Sequence, residues 1–107
     1  MAQDGGLVEP TLQLLALHGV WAWRANAGAV QTKHGNFVQL APAGTPDILG
    51  ARPSDGKMFG IECKRRTGTQ RPSQEDWQAI AERNHVLYFI VRSISDARRV
   101  AQELRDG

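Results

Sequence analysis

The run Val86-Leu87-Tyr88-Phe89-Ile90-Val91 contains no charged residue and no helix or strand breaker. Six residues is a strand length, and a strand that is apolar on both faces needs cover on both. The sequence therefore predicts a sheet with this run as its central, doubly buried strand. At 107 residues, 41% of them apolar, the chain has material for one core and not for two. The expectation is a single domain spanning residues 1–107.

The remaining segments read around that strand. Glu9-Pro10 opens a helical pattern, with Pro10 as first helical residue, where its missing amide hydrogen costs nothing. Leu12, Leu15, Ala16 and Gly19 share one stripe, and Gly19 reads as the stop. Val20 to Arg24 reads as a strand with Trp21 and Trp23 on one side, at least one of them in the core. Asn26-Ala27-Gly28 reads as a turn, followed by a short strand, Gly35-Asn36, and a strand from Phe37 to Leu40. The tight loop Ala41 to Pro46 delivers Asp47 to the head of a strand ending at Gly50. Arg52 to Lys57 reads as a hairpin connection turning at Asp55-Gly56, and Met58 to Lys64 as its return strand. Ser73 reads as the cap of a helix, with Asp76 three residues on, and Trp77, Ile80 and Ala81 as its apolar stripe. Asp96 to Leu104 reads as a last, short helix. The predicted order is helix, three or four strands, helix, strand, helix: an α/β fold with a mixed central sheet flanked by helices.

Thirteen Lys/Arg against eleven Asp/Glu leave only +2, so net charge says little. Its distribution says more. Arg52, Lys57, Lys64, Arg65, Arg66 and Arg71 face only Asp55 and Glu62 within one segment, a local charge of about +4. A positive rim of this kind suits a polyanion, although a solvated loop carries arginines as well. The single cysteine, Cys63, excludes an internal disulfide, and no Cys/His cluster has zinc-site spacing. Met1 to Glu9 is acidic with no basic leader, and no apolar stretch approaches a membrane span. The expectation is an intracellular protein with no membrane partner.

In the Met58–Lys64 strand, Phe59, Ile61 and Cys63 face one way and Glu62 and Lys64 the other. The second side is expected to be open to solvent or ligand, because neither charge is cheap to bury unpaired. Asp47 is available to join them. Two carboxylates and a cation are the minimum kit for metal-assisted cleavage of a phosphodiester. Asp47 and Glu62 would hold a divalent ion, with the Cys63 carbonyl as a third oxygen. Lys64 would orient the attacking water or stabilise the charge of the transition state. Gln74, near a helix N-terminus where anions are favoured, would touch a phosphate or steady a metal-bound water. It is equally readable as a polar residue of the first turn. Asp plus Glu-x-Lys is by itself a loose pattern.

Gly44-Thr45-Pro46-Asp47-Ile48-Leu49-Gly50, then Gly60-Ile61-Glu62-Cys63-Lys64, then Gln74 and Trp77, together resemble the VRR-NUC domain. Glu9 and Arg24-Asn26-Gly28 are similar to that family's opening motif, so the resemblance covers roughly residues 7 to 93. VRR-NUC belongs to the PD-(D/E)xK nuclease superfamily, and the resemblance implies a restriction-endonuclease-like core. It further implies a Mg²⁺- or Mn²⁺-dependent endodeoxyribonuclease of the stand-alone phage or prophage type. Such an enzyme works in the bacterial cytoplasm, as a homodimer, on branched double-stranded DNA, with Holliday junction resolution as the leading activity. By match, Asp47 and Glu62 are metal ligands, Lys64 is the catalytic lysine, Gln74 is the helix glutamine, and Glu9 completes the acidic cluster, often through a metal-bound water.

Outside that set, Arg24 reads as a phosphate contact or a partner of Glu9, and Arg65, Arg66 and Arg71 as grips on the DNA backbone. His18, His34 and His85 have no ligand-like spacing. A flap or nicking nuclease on the same fold is the nearest alternative. A non-catalytic DNA-binding module, or a small structural protein with an accidental basic cluster, is the alternative of a different class.

Overall fold

The computed structural model describes residues 4–25, 29–31, 33–39 and 41–107. Asn26, Gly28 and Leu40 lie outside them. The chain runs α1 (Val8–Leu17), β1 (Trp21–Arg24), β2 (Ala29–Gln31), β3 (Phe37–Gln39), β4 (Ile48–Ala51), β5 (Met58–Cys63), α2 (Pro72–Arg83), β6 (Leu87–Val91) and α3 (Ile94–Asp106). β1, β4, β5 and β6 form a mixed sheet in that spatial order, and β2 and β3 form a separate two-stranded sheet. β1–β4 and β4–β5 are antiparallel, whereas β5–β6 is parallel. The parallel step is made by α2, the crossover that such a pairing needs. The element order differs from expectation in having five strands before α2.

The apolar run of β6 occupies the end of this sheet and not its middle. Its residues are mostly half-buried, Val91 alone being fully buried. β4 and β5 are the central strands. α2 and α3 both contact β6, which accounts for an apolar composition without a second strand neighbour. The core lies on the face covered by α1 and α3, where Phe59, Ile61 and Cys63 meet Ile48, Leu15, Val100 and Leu104, each at most 2% exposed. Burying one such large apolar side chain contributes about 1.5–3 kcal/mol. Among the described residues no helix is long and apolar enough to cross a membrane.

β1 is the other edge strand. Ala22 packs against the core, while Trp21 and Trp23 are 72% and 43% exposed on the opposite face. Their rings stand 5.0 Å apart, tilted against each other. The expectation of a core tryptophan here is overturned: the alternation is right, but the small residue between them faces inward.

The hairpin turn is as expected. Arg52 and Asp55 pair across it at 2.5 Å, the Asp55 carboxylate accepts from the Lys57 amide, and Gly56 has φ +74°. Helix starts are shifted. Pro10 is the third residue of α1, still within the turn whose amides lack helical partners. α2 begins at Pro72, not after Ser73. Arg71 is its cap, and the Gln74 side-chain oxygen accepts the Arg71 amide hydrogen at 2.9 Å. Proline at the first helical position explains the shift, since it has no amide to satisfy. Ser93 caps α3 through the Asp96 amide at 3.0 Å.

The loop before β4 is clamped to α2. Gly44 has φ +85°, and a Cβ there would collide with the Ser73 carbonyl. Thr45 closes the loop with its amide and hydroxyl, both donating to the Pro42 carbonyl. Gly44→Ala combines backbone strain with a clash against helix backbone and is expected to cost on the order of 3 kcal/mol. Gly56→Ala also sits at positive φ, with nothing within 4 Å, and should cost only about 1 kcal/mol. Urea unfolding of the two variants checks this; equal midpoints would show that the clamp carries no weight.

Candidate active site

The β4–β5 register pairs Ile48 with Ile61, so one step further sets Asp47 against Glu62. Three main-chain anchors fix the approach. The Asp47 carbonyl accepts the Ala25 amide at 2.8 Å. Asp47 Oδ2 accepts the Cys63 amide at 2.8 Å. The Lys64 amide donates to the Val91 carbonyl at 2.9 Å. The two acids therefore sit on the two central strands, and the lysine follows directly from the second.

Glu62 is only 2% exposed. The face it shares with Gly60 is covered, not open as expected: a Cβ on Gly60 would press on Pro46 and on the Trp77 ring. Lys64 is 5% and Gln74 2% exposed. Desolvation pushes the Glu62 carboxyl up to about 8, reinforced by the charge of Asp47 and a hydrogen bond with its carboxyl, and opposed by Lys64 and Arg71. Glu62 therefore keeps its proton at neutral pH. Glu62 Oε2 is buried with no hydrogen-bond partner. A buried oxygen without a donor costs about 1–3 kcal/mol, and a bound cation is one way to satisfy it.

That donor set fits a hard divalent ion. Mg²⁺ takes oxygen ligands, is commonly held by one or two carboxylates, and keeps several waters. Asp47 and Glu62 supply the carboxylates. Among the described residues no three His, Cys, Asp or Glu side chains form a metal-holding group, so Glu9 is not a direct third ligand beside the acid pair. Instead Glu9 lies exposed, 3.3 Å from the Arg24 guanidinium, which also stands 4.0 Å from Asp4. An exposed pair of this kind is worth at most about 1 kcal/mol. The Cys63 side chain faces the core, and burial pushes its thiol up to about 12. The thiolate needed for metal binding is therefore inaccessible near neutral pH, leaving only the carbonyl for the ligand role.

The structure gathers Asp47, Glu62 and Lys64, and brings Gln74 to the same covered face. Gln74 spends its side-chain oxygen on the Arg71 amide, which makes it the brace of the 65–71 loop before anything else. Arg65, Arg66 and Arg71 are exposed, and the charge of Arg71 is felt at Glu62. One residue that sequence reasoning missed is Arg92, whose guanidinium binds the carbonyls of that loop. Its only sequence signal is its position, directly after the apolar run. No protein-family model matches this chain, and neither a curated protein nor a solved structure matches it significantly.

Proposed function

We propose that this chain is a divalent-metal-dependent endodeoxyribonuclease with a restriction-endonuclease-like core, similar to the VRR-NUC domain. The observation that carries the reading is the buried Glu62 carboxyl set against the half-buried Asp47 and beside the buried Lys64. A buried, protonated carboxyl beside a second acid is poorly suited to a purely structural role, because a well-packed apolar side chain stabilises a core better. It is well suited to exchange that proton for a cation.

When bound, Mg²⁺ or Mn²⁺ would neutralise phosphate charge and lower the pKa of a coordinated water. The chain's own residues do the rest. Asp47 is oriented by the Cys63 amide before any ion arrives. Glu62, lying opposite, would release its proton to solvent on holding such an ion. Lys64 places a positive charge where the phosphate develops negative charge. Gln74 keeps the following loop in place through Arg71. Arg65, Arg66 and Arg71 supply sequence-independent contacts to the DNA backbone. The preference for branched DNA and the homodimer rest on the resemblance alone.

The test is incision of labelled four-way junction, flap, nicked and linear duplex DNA with and without Mg²⁺ or Mn²⁺. Asp47→Asn is expected to lower cutting on the order of 10²–10³-fold, the several kcal/mol that charge stabilisation by a metal contributes. Paired cuts in the junction support resolution, and cuts in the flap or nicked duplex support the alternative nuclease. Binding of DNA without metal-dependent cutting of any substrate would sink the enzyme reading.

A further inference from the structure

A second feature adjoins the acid pair. Lys64, Arg65, Gly68, Thr69 and Arg71 line an open cavity of about 120 Å³. That is roomy for a phosphate group together with a water, since one water needs only about 10–15 Å³ of such space. Every charged residue lining it is cationic. Lys64 is 5% exposed, and no carboxylate lies within ion-pairing distance of its ammonium among the described residues. A buried ammonium without a counter-charge is costly, and an anion in this cavity removes that cost.

The loop is built around another cation. Arg92 Nη1 donates to the carbonyls of Arg65 at 3.0 Å and Gly68 at 2.5 Å, with that of Arg66 at 3.5 Å. The Gly68 amide closes a turn onto the Arg65 carbonyl at 3.0 Å. Carbonyl oxygens thus converge on the Arg92 guanidinium, while Thr69 and Arg71 line the cavity. Arg92 directly follows Val91, whose carbonyl receives the Lys64 amide, so its hold is registered to the strand bearing Glu62. Its own amide is fixed by Asp96 at 2.9 Å. At the far end, Gln70 donates to Gln78 at 2.9 Å and to the Tyr88 hydroxyl at 3.1 Å, and Gln74 holds Arg71. The loop is tied at both ends.

We propose that the 65–71 loop, folded about Arg92, is a seat for a phosphate oxyanion of a nucleic-acid backbone, and that Arg92 is its positioning residue. The choice of a backbone phosphate rests on the nuclease reading; the oxyanion chemistry does not. Lys64 and Arg71 contact the anion, Thr69 offers a hydroxyl, and Arg92 acts through the loop carbonyls.

The test is titration of the full chain with inorganic phosphate at low salt in EDTA, followed by ³¹P and amide NMR, with short DNA duplex binding as the second arm. Wild type is expected to bind phosphate with shifts confined to residues 64–71, and phosphate should compete with duplex. Arg71→Gln and Arg92→Gln are each expected to weaken phosphate binding on the order of tenfold, the worth of charge-assisted hydrogen bonds. Arg92→Lys should restore part of it, and the Arg92 variants should raise KM for DNA more than they lower kcat. If Arg92→Gln does not fold, Arg71→Gln and Thr69→Val on the exposed side of the loop decide. Equal phosphate affinity in wild type and Arg71→Gln would overturn the seat. Phosphate binding that leaves duplex affinity unchanged would overturn its assignment to a DNA strand. A chain that passes both arms yet cuts no DNA keeps the seat and loses the nuclease reading.

Discussion

Glu62→Gln will unfold at a higher urea concentration than wild type at pH 9 in EDTA, and will cut no DNA. The physical cause is the proton that burial and Asp47 force onto Glu62, raising its carboxyl to about 8 from an ordinary 4.5. Between those values the folded protein holds a proton that the unfolded chain has released. Stability is therefore fully present below about pH 4.5 and falls as pH rises through about 8. With each pKa unit worth about 1.4 kcal/mol, the loss is on the order of 3 kcal/mol after allowing for relaxation around the pair. Glutamine donates to Asp47 as the protonated acid does, and it never ionises. The variant's profile across this range should be flat, converging with wild type at pH 4–5. Added Mg²⁺ should stabilise wild type and leave the variant unmoved. Parallel pH profiles for the two proteins would show that Glu62 carries no raised pKa.

Lys64→Met is expected to separate stability from activity just as sharply. The lysine is 5% exposed and lines the cationic cavity with no carboxylate in ion-pairing reach among the described residues. Methionine has nearly the same reach and carries no charge to desolvate. The variant should gain about 1–3 kcal/mol in urea unfolding, as replacement of a buried charge by a well-packed apolar group commonly does. Cutting should fall on the order of 10²-fold or more, because the charge opposite the developing phosphate oxyanion is gone. Removing Lys64 also removes one of the two charges that hold the Glu62 pKa down, so metal binding should need a higher pH. A variant that melts below wild type, or that cuts at the wild-type rate, would contradict the role given to this ammonium.

Much of the site was legible because it depends on short-range rules. Asp55-Gly56 defines a hairpin, and a hairpin of that length pairs Ile48 with Ile61, which sets Asp47 opposite Glu62. The two-residue period of β5 then separates Phe59, Ile61 and Cys63 from Glu62 and Lys64. What was not legible has physical reasons. An apolar run reports that both faces of β6 are covered, but strand neighbours lie at its edges, perpendicular to the faces, so composition says nothing of its place in the sheet. The charges of Glu62 and Lys64 argued for an open face, whereas Pro46 and Trp77 cover it and Glu62 holds a proton instead. Trp21 and Trp23 share a side, but which side was inward depended on Ala22. Glu9 meets Arg24, one of the two contacts the sequence offered for that arginine, a choice set by side-chain reach and not by spacing. Arg92 reads as an ordinary arginine until the carbonyls around it are seen.

β5 has a strand on each side and cover on both faces. Prising it loose would break two ladders at once, which amounts to unfolding the domain. The edge strand β1, held by a single ladder, can fray without that penalty. The acid and the ammonium therefore keep their register in partly loosened forms of the chain, and the reacting groups are either all in place or all lost.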